Sequence, residues 1–384
     1  MKSTLTLAVL AVSALPPPAA AQDLGPTLIQ VDSVVLQESE DHYIGQPGEM
    51  ILGPRGSFVV IDFFAANAIR FDGAGRPIRT FGRRGQGPGE FYQIGVGGFV
   101  SGGVVGITDG QPPEMQIEFF DWDSGEHLGQ ARSDGLVSSL GATRRGRLWA
   151  GGINPDTWLA LGSRRLRELL RDRVSLQPPR IPLDRMAVPR TYVEDSTLLG
   201  VGGHTRMHVS EESIIFAFGA SPYLLMLDLD GEVVDTIPLR AARRRGVPPD
   251  DELIEMMSAD DGEFSDPDEY FAMQEELFAK VSSLMNVSRD EVGNIHTIHQ
   301  EGELSGTRVS GTLYLSSLSH DGTRQCPDTL IPTSDVGRPI TALRDNELFV
   351  LDQRIEAGPD NLRTVLRRFT IDFENCTGEV RRPG

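Results

Sequence analysis

Short runs of alternating apolar and polar residues, each opened by a turn residue, recur through most of the chain. Six share one form: Gly56-Ser-Phe-Val-Val-Ile-Asp62, Gly103-Val-Val-Gly-Ile-Thr-Asp109, Gly146-Arg-Leu-Trp-Ala-Gly-Gly152, Ser213-Ile-Ile-Phe-Ala-Phe-Gly219, Gly293-Asn-Ile-His-Thr-Ile-His299 and Asn346-Glu-Leu-Phe-Val-Leu-Asp352. A period of two over such short runs predicts β-strands. Their starts lie 47, 43, 67, 80 and 53 residues apart, the length of a four-stranded unit with extra chain at two places.

A second strand-like unit follows the first and ends in a tight Asp/Gly turn, where a positive φ favours Gly or Asn. It reads Ile69-Arg-Phe-Asp-Gly73 in the first copy and Leu225-Met-Leu-Asp-Leu-Asp-Gly231 in the fourth. The third copy is degenerate within Thr157 to Val174, where Arg164-Arg-Leu-Arg-Glu-Leu-Leu170 fits either a helical turn or a ragged hairpin. A Gly-rich joint links copies: Gly85-Gln-Gly-Pro-Gly-Glu90 echoes Gly45-Gln-Pro-Gly-Glu49. A β-sandwich explains alternating strands but not a fixed order of units within each period. The pattern therefore predicts an all-β fold, a six-bladed β-propeller of four-stranded antiparallel blades with a short helical insertion.

Phe71-Asp-Gly73 followed by Thr80-Phe-Gly-Arg-Arg-Gly-Gln-Gly-Pro-Gly-Glu-Phe91 resembles the NHL-type repeat of bacterial secreted six-bladed β-propeller proteins. The match is specific over Gly45 to Phe91, and the six-fold pattern carries it to Gly384. The resemblance implies a fold and a binding surface rather than a reaction. In that architecture Asp62, Asp109, His299 and Asp352 each end a second strand on one rim around the central channel, which makes them ligand-binding candidates. Ring closure needs a strand from the other terminus, and Leu28 to Leu36 is the segment expected to join the last blade.

Arg240 to Asn286 breaks the β pattern. Asp250 to Glu276 holds twelve acidic residues and no basic one. Ser265-Asp266-Pro267 reads as an N-cap with proline in the first turn. Tyr270, Gln274, Leu277, Val281 and Leu284 then share a helical face, so residues 247–286 are expected to form an acidic helical lid on the channel rim.

The leader sets the compartment. Lys2, the apolar stretch Leu5 to Leu15 and Ala19-Ala20-Ala21 compose a signal peptide over residues 1–21, leaving 22–384 as the propeller, secreted or periplasmic. Cys326 and Cys376, neither in a CxxC, then invite a disulfide. The 384 residues carry a formal net charge of −19, which disfavours nucleic acid and anionic membranes as partners. No later run is long and apolar enough for membrane insertion, and a monomer is expected.

Catalytic signatures are missing: no GxSxG, HExxH, P-loop lysine or calcium-loop spacing appears. His204-x3-His208 would share a strand face, but two histidines without a third ligand make a weak metal site. The leading expectation is a non-enzymatic binding module that recognises a ligand or protein partner on its loop-rich face, without a cofactor. The alternative is a metal-dependent hydrolase or lyase at the channel mouth, holding one divalent ion such as calcium.

Overall fold

The computed structural model describes residues 26–172, 204–239, 276 and 280–376, apart from 112–113, 134–135, 154–159, 306–307, 321, 327, 335, 356–361 and 375. The expected leader and most of the acidic insertion lie outside the described residues.

Strands β1 (Thr27–Val35), β2 (Pro47–Leu52), β3 (Phe58–Asp62), β4 (Asn67–Phe71) and β5 (Pro77–Phe81) open the chain. They are followed by β6 (Ile94–Ser101), β7 (Val104–Gln111), β8 (Glu114–Asp121) and β9 (His127–Ser133). The third group is β10 (Leu136–Ala142), β11 (Arg147–Ile153), β12 (Ala160–Arg165) and helix α1 (Leu166–Asp172). Then come β13 (Thr205–Val209), β14 (Ile214–Phe218), β15 (Tyr223–Leu227) and β16 (Val233–Pro238). The fifth group is β17 (Ser283–Arg289), β18 (Ile295–Ser305), β19 (Arg308–Leu318) and β20 (Thr329–Leu330). The last is β21 (Val336–Arg344), β22 (Glu347–Ile355) and β23 (Leu362–Asp372).

These pair into antiparallel meanders, β2 to β5, β6 to β9, β13 to β16 and β17 to β20, each strand bonded to the next. The last sheet runs β21-β22-β23-β1, so the amino-terminal strand completes the carboxy-terminal blade, with Thr27 opposite Asp372 and Val35 opposite Val365. All six alternating runs of the first form are second strands: β3, β7, β11, β14, β18 and β22. The first strands lie innermost and touch in a closed cycle, β2 to β6, β10, β13, β17, β21 and back to β2.

The propeller has five four-stranded blades rather than the six expected, because the third sheet, β10-β11-β12, stops at three strands among the described residues. Arg164 and Arg165 finish β12, and the Leu-rich stretch after them turns into α1 instead of returning as a strand. Leu166 and Leu169, three apart on α1, are buried with Phe119, Ala131 and Leu148. The helix thus covers apolar surface that an outer strand would otherwise cover. The acidic helix needs a second correction. Val281 and Leu284 were placed on its face, yet Ser283 to Arg289 form β17, and fully buried Leu284 packs with Ile215, Leu224 and Val287 between sheets. The Val281-x-x-Leu284 spacing suits a helical face, but the pairing of Leu284 with His299 of β18 decides for the strand.

Cores lie between neighbouring sheets rather than at the centre. Phe58, Val60 and Phe71 of the first blade pack with Phe349 and Leu351 of the last, while Val59, Ile61 and Phe81 pack with Val105, Ile107 and Phe120 of the second. Alternation on β3 sends successive side chains to opposite neighbours, so both faces of a blade are apolar. Cys326 and Cys376 form a disulfide, with Cα atoms 5.2 Å apart, that ties the fifth sheet to the end of β23.

Candidate functional site

All four rim candidates are buried, but only Asp62 ends its strand as expected: Asp109 lies two residues short of the end of β7, Asp352 three short of the end of β22, and His299 near the middle of β18, because these strands run on past the turn that the sequence pattern suggests. Their surroundings are structural. The Asp62 carboxylate accepts N–H bonds from Gly45 (2.6 Å), Gln46 (3.2 Å), Phe64 (2.8 Å) and Ala65 (3.1 Å), stapling the loop into β2 to the β3–β4 hairpin. Asp109 repeats the device one blade on, accepting from Gln93 N–H at 2.8 Å and from the Gln116 amide at 3.1 Å. Asp352 is bonded to the Arg367 guanidinium of β23. His299 stacks on Tyr314 at 5.5 Å and lies 3.7 Å from Asp328. These side chains mark the rim and hold it together.

The Gly-rich joint is likewise a folded turn. Gln86 and Gly87 donate their N–H groups to Glu90, which also pairs with Arg83 at 2.7 Å. A Cβ on Gly85 would lie 2.0 Å from the Glu90 carboxylate, so a larger residue there would displace that side chain from the turn. The echoed Glu49 has a different place: it lies within β2, facing the channel, whereas Glu90 precedes β6.

A buried line of Ser317, His296 and Asp290 has a hydrolase-like order, with Ser317 Oγ 2.8 Å from His296 Nδ1 and Asp290 3.4 Å from Nε2. Ser317 is 1% exposed, out of reach of a substrate. Asp290 is spent on its own turn, accepting from Val292 and Asn294. Burial opposes its charge, but the bonds from His296 and Asn294 outweigh it and hold the carboxyl below its ordinary value. The trio is a hairpin lock.

The innermost strands enclose a cavity of about 640 Å³, within the range of small-molecule sites. Five of them slip register near the same height: between Pro47 and Glu49, Ile94 and Gly98, Val137 and Ser139, Leu284 and Asn286, and Val336 and Ile340. A bulge takes backbone groups out of the ladder, and side chains of other blades take them up. Gly97 N–H donates to Glu49 at 2.5 Å. Arg206 Nε donates to the Met285 carbonyl at 2.6 Å, and its Nη1 to Thr205 (2.9 Å) and Ser138 (3.5 Å). Asn286 reaches the Thr341 carbonyl at 3.3 Å, while Ser138 and Ser139 each lie 2.9 Å from the Thr205 hydroxyl. The channel waist is therefore laced from blade to blade by polar side chains.

Glu49 is closed in by protein yet borders the channel, so it keeps partial exposure. Burial pushes its carboxyl up to about 7, against the pull of Arg206 and the Gly97 N–H. His204 and His208 both line the channel, as their shared strand face predicts. Burial, reinforced by Arg289, pulls the His208 imidazole down to about 4. Among the described residues no three His, Cys, Asp or Glu side chains gather into a metal-holding group. Sequence reasoning overlooked Glu49, treated only as part of a joint, and Arg206, hidden between two histidines. The available signal was a charged residue inside a first strand.

Two solved structures share the fold. A Bacteroides fragilis protein named for its expected export is 10% identical, with a TM-score of 0.57 over 92% of this chain and 97% of its own. A member of the DUF4221 family from Bacteroides vulgatus is 10% identical, with a TM-score of 0.56 over 91% of this chain and 99% of its own. The likeness is one of fold. No protein-family model matches the chain, and no curated protein matches it.

Proposed function

We propose that this chain is an exported, six-bladed, NHL-like propeller that acts as a binding module and takes its ligand in the central channel. The three-stranded sheet with α1 serves as the remaining blade in this reading. The observation that carries it is the cavity of about 640 Å³, whose wall holds an acid and a guanidinium, Glu49 and Arg206, on different strands of the ring. Such a cavity with few, placed polar groups is the ordinary form of a ligand site. The rim adds contact surface: Tyr43, Phe64 and Tyr92, on loops at the Asp62 end of the blades, are 54%, 70% and 59% exposed. Exposed aromatic side chains of this kind favour recognition of a ligand or partner. Export is supported by the disulfide and by the expected leader.

The test compares the protein with a Gln46→Trp variant, which sets an indole at the channel mouth. Both are incubated with small molecules extracted from the growth medium, desalted and examined by native mass spectrometry. A compound retained by the protein and excluded by the variant is the expected result. Equal retention by both, or none by either, would refute channel binding.

A further inference from the structure

Resting on that channel reading, we infer that the ligand is an uncharged, polyhydroxylated molecule of about mono- or disaccharide size. Three kinds of observation converge on this class. The first is side-chain chemistry. Asn286, Gln300 and Gln353 bring carboxamides to the channel wall. A carboxamide offers a donor and an acceptor side by side, which matches neighbouring hydroxyls and leaves a full charge unanswered. Gln353 Nε2 has no hydrogen-bond partner among the described residues, although the residue keeps partial exposure. Gln353 lines the cavity. A polar atom left in this state calls for a polar occupant.

The second is charge. Among the described residues of the wall, Arg206 is matched by Glu49, whose carboxyl at about 7 is mostly ionised at pH 7.5, and Arg344 by Asp345, and three backbone carbonyls bond the Arg206 guanidinium. His208, held neutral by its burial, adds no charge near pH 7. A ligand with a net charge would enter an enclosed site that does not neutralise it, at a desolvation cost. The third is an aromatic surface. Phe63 lines the cavity, and a Cβ on Gly48 would fall 2.2 Å from its Cζ, so glycine alone lets the ring sit there. A ring at the mouth can stack on the C–H face of a sugar while the amides hold its hydroxyls.

The experiment titrates the exported, oxidised protein at pH 7.5 with glucose, maltose and myo-inositol, and with the charged analogues glucosamine and gluconate, by calorimetry and saturation-transfer NMR. At least one neutral probe should bind, each charged analogue at least about tenfold more weakly than its neutral parent. Gln353→Leu should cost the neutral probe about tenfold in Kd, as expected for one buried hydrogen bond to a ligand. If that variant does not fold, Gln300→Leu carries the same expectation. Gluconate or glucosamine binding as tightly as glucose, in a manner abolished by Gln46→Trp, would overturn the uncharged class while leaving the channel module standing. No binding by any of the five would also overturn the class, with the channel reading judged separately by metabolite retention.

Discussion

Asp62→Ala separates a staple from a ligand contact. The carboxylate is fully buried and takes four N–H groups, two from the loop into β2 and two from the β3–β4 hairpin. At about 1.5 kcal/mol each, the low end for a charged acceptor, the four bonds sum to about 6 kcal/mol. Water recruited by the rim amides returns about a third, leaving a loss of about 4 kcal/mol. For a chain this long each kcal/mol moves the melting point by about 1–2 °C, so the midpoint should fall by about 4–8 °C. Asp62→Asn is the control. It retains an oxygen for Gln46, Phe64 and Ala65, but turns an NH₂ toward the Gly45 N–H, for a loss of about 2 kcal/mol. Urea unfolding with matched circular-dichroism and fluorescence midpoints measures both. An Asp62→Ala variant within about 1 kcal/mol of the parent, with altered ligand binding, would show that the carboxylate serves the ligand instead.

Glu49→Gln should change the pH dependence of stability. The folded pKa of about 7 lies above the ordinary 4.5, so the Glu49 contribution to stability falls as pH rises from about 4.5 to 7, and the urea midpoint of the variant should rise relative to the parent's across that window. His208 has the opposite sign: its folded pKa of about 4 lies below 6.5, so stability is lost on acidification between those values, and a His208→Gln variant should be less acid-sensitive. Replacing both Cys326 and Cys376 with serine should cost about 4 kcal/mol of unfolding free energy on loop-closure entropy, and two titratable thiols in the denatured, unreduced parent would refute the bridge. Removing Thr27 to Val35 should lower the melting point far more than a nine-residue surface deletion would, because it strips β23 of its partner; an unchanged melting curve would count against strand closure.

What could be read in advance follows from the range over which each interaction acts. Second strands are legible because Gly or Asn turns and a period of two are local, as in Gly56 to Asp62. The pairing of β1 with β23 was also foreseeable, since Leu28 to Leu36 had no role in the first blade. The third sheet was visible only as a degenerate copy, because Leu166 and Leu169 suit a helix or a strand until their neighbours in β8 and β9 are in place. The channel was not legible. Its bulges are set by how first strands crowd together, and the link from Arg206 to Ser138 and Met285 joins residues distant in sequence. Likeness of short motifs misled as well: Glu49 and Glu90 share neighbours in sequence but not a place in the fold.

Closure by β1 has a consequence for the order in which the molecule can assemble. In chain order β1 precedes its partner by nearly the whole propeller, so until β23 has been made it waits as an exposed ribbon bearing Ile29, Val31 and Val35. Its landing site is prepared by the disulfide: Cys376 follows β23 by four residues, and in the fifth sheet, Thr329 Oγ1 donates to the Pro26 carbonyl at 2.8 Å. Oxidation thus tethers the end of the strand onto which β1 zips, so the thiol–disulfide balance around the chain bears on how firmly the ring is closed. A chain held in reducing surroundings would lose that tether, and a seam that opens more often beside β23 is an edge that invites other chains.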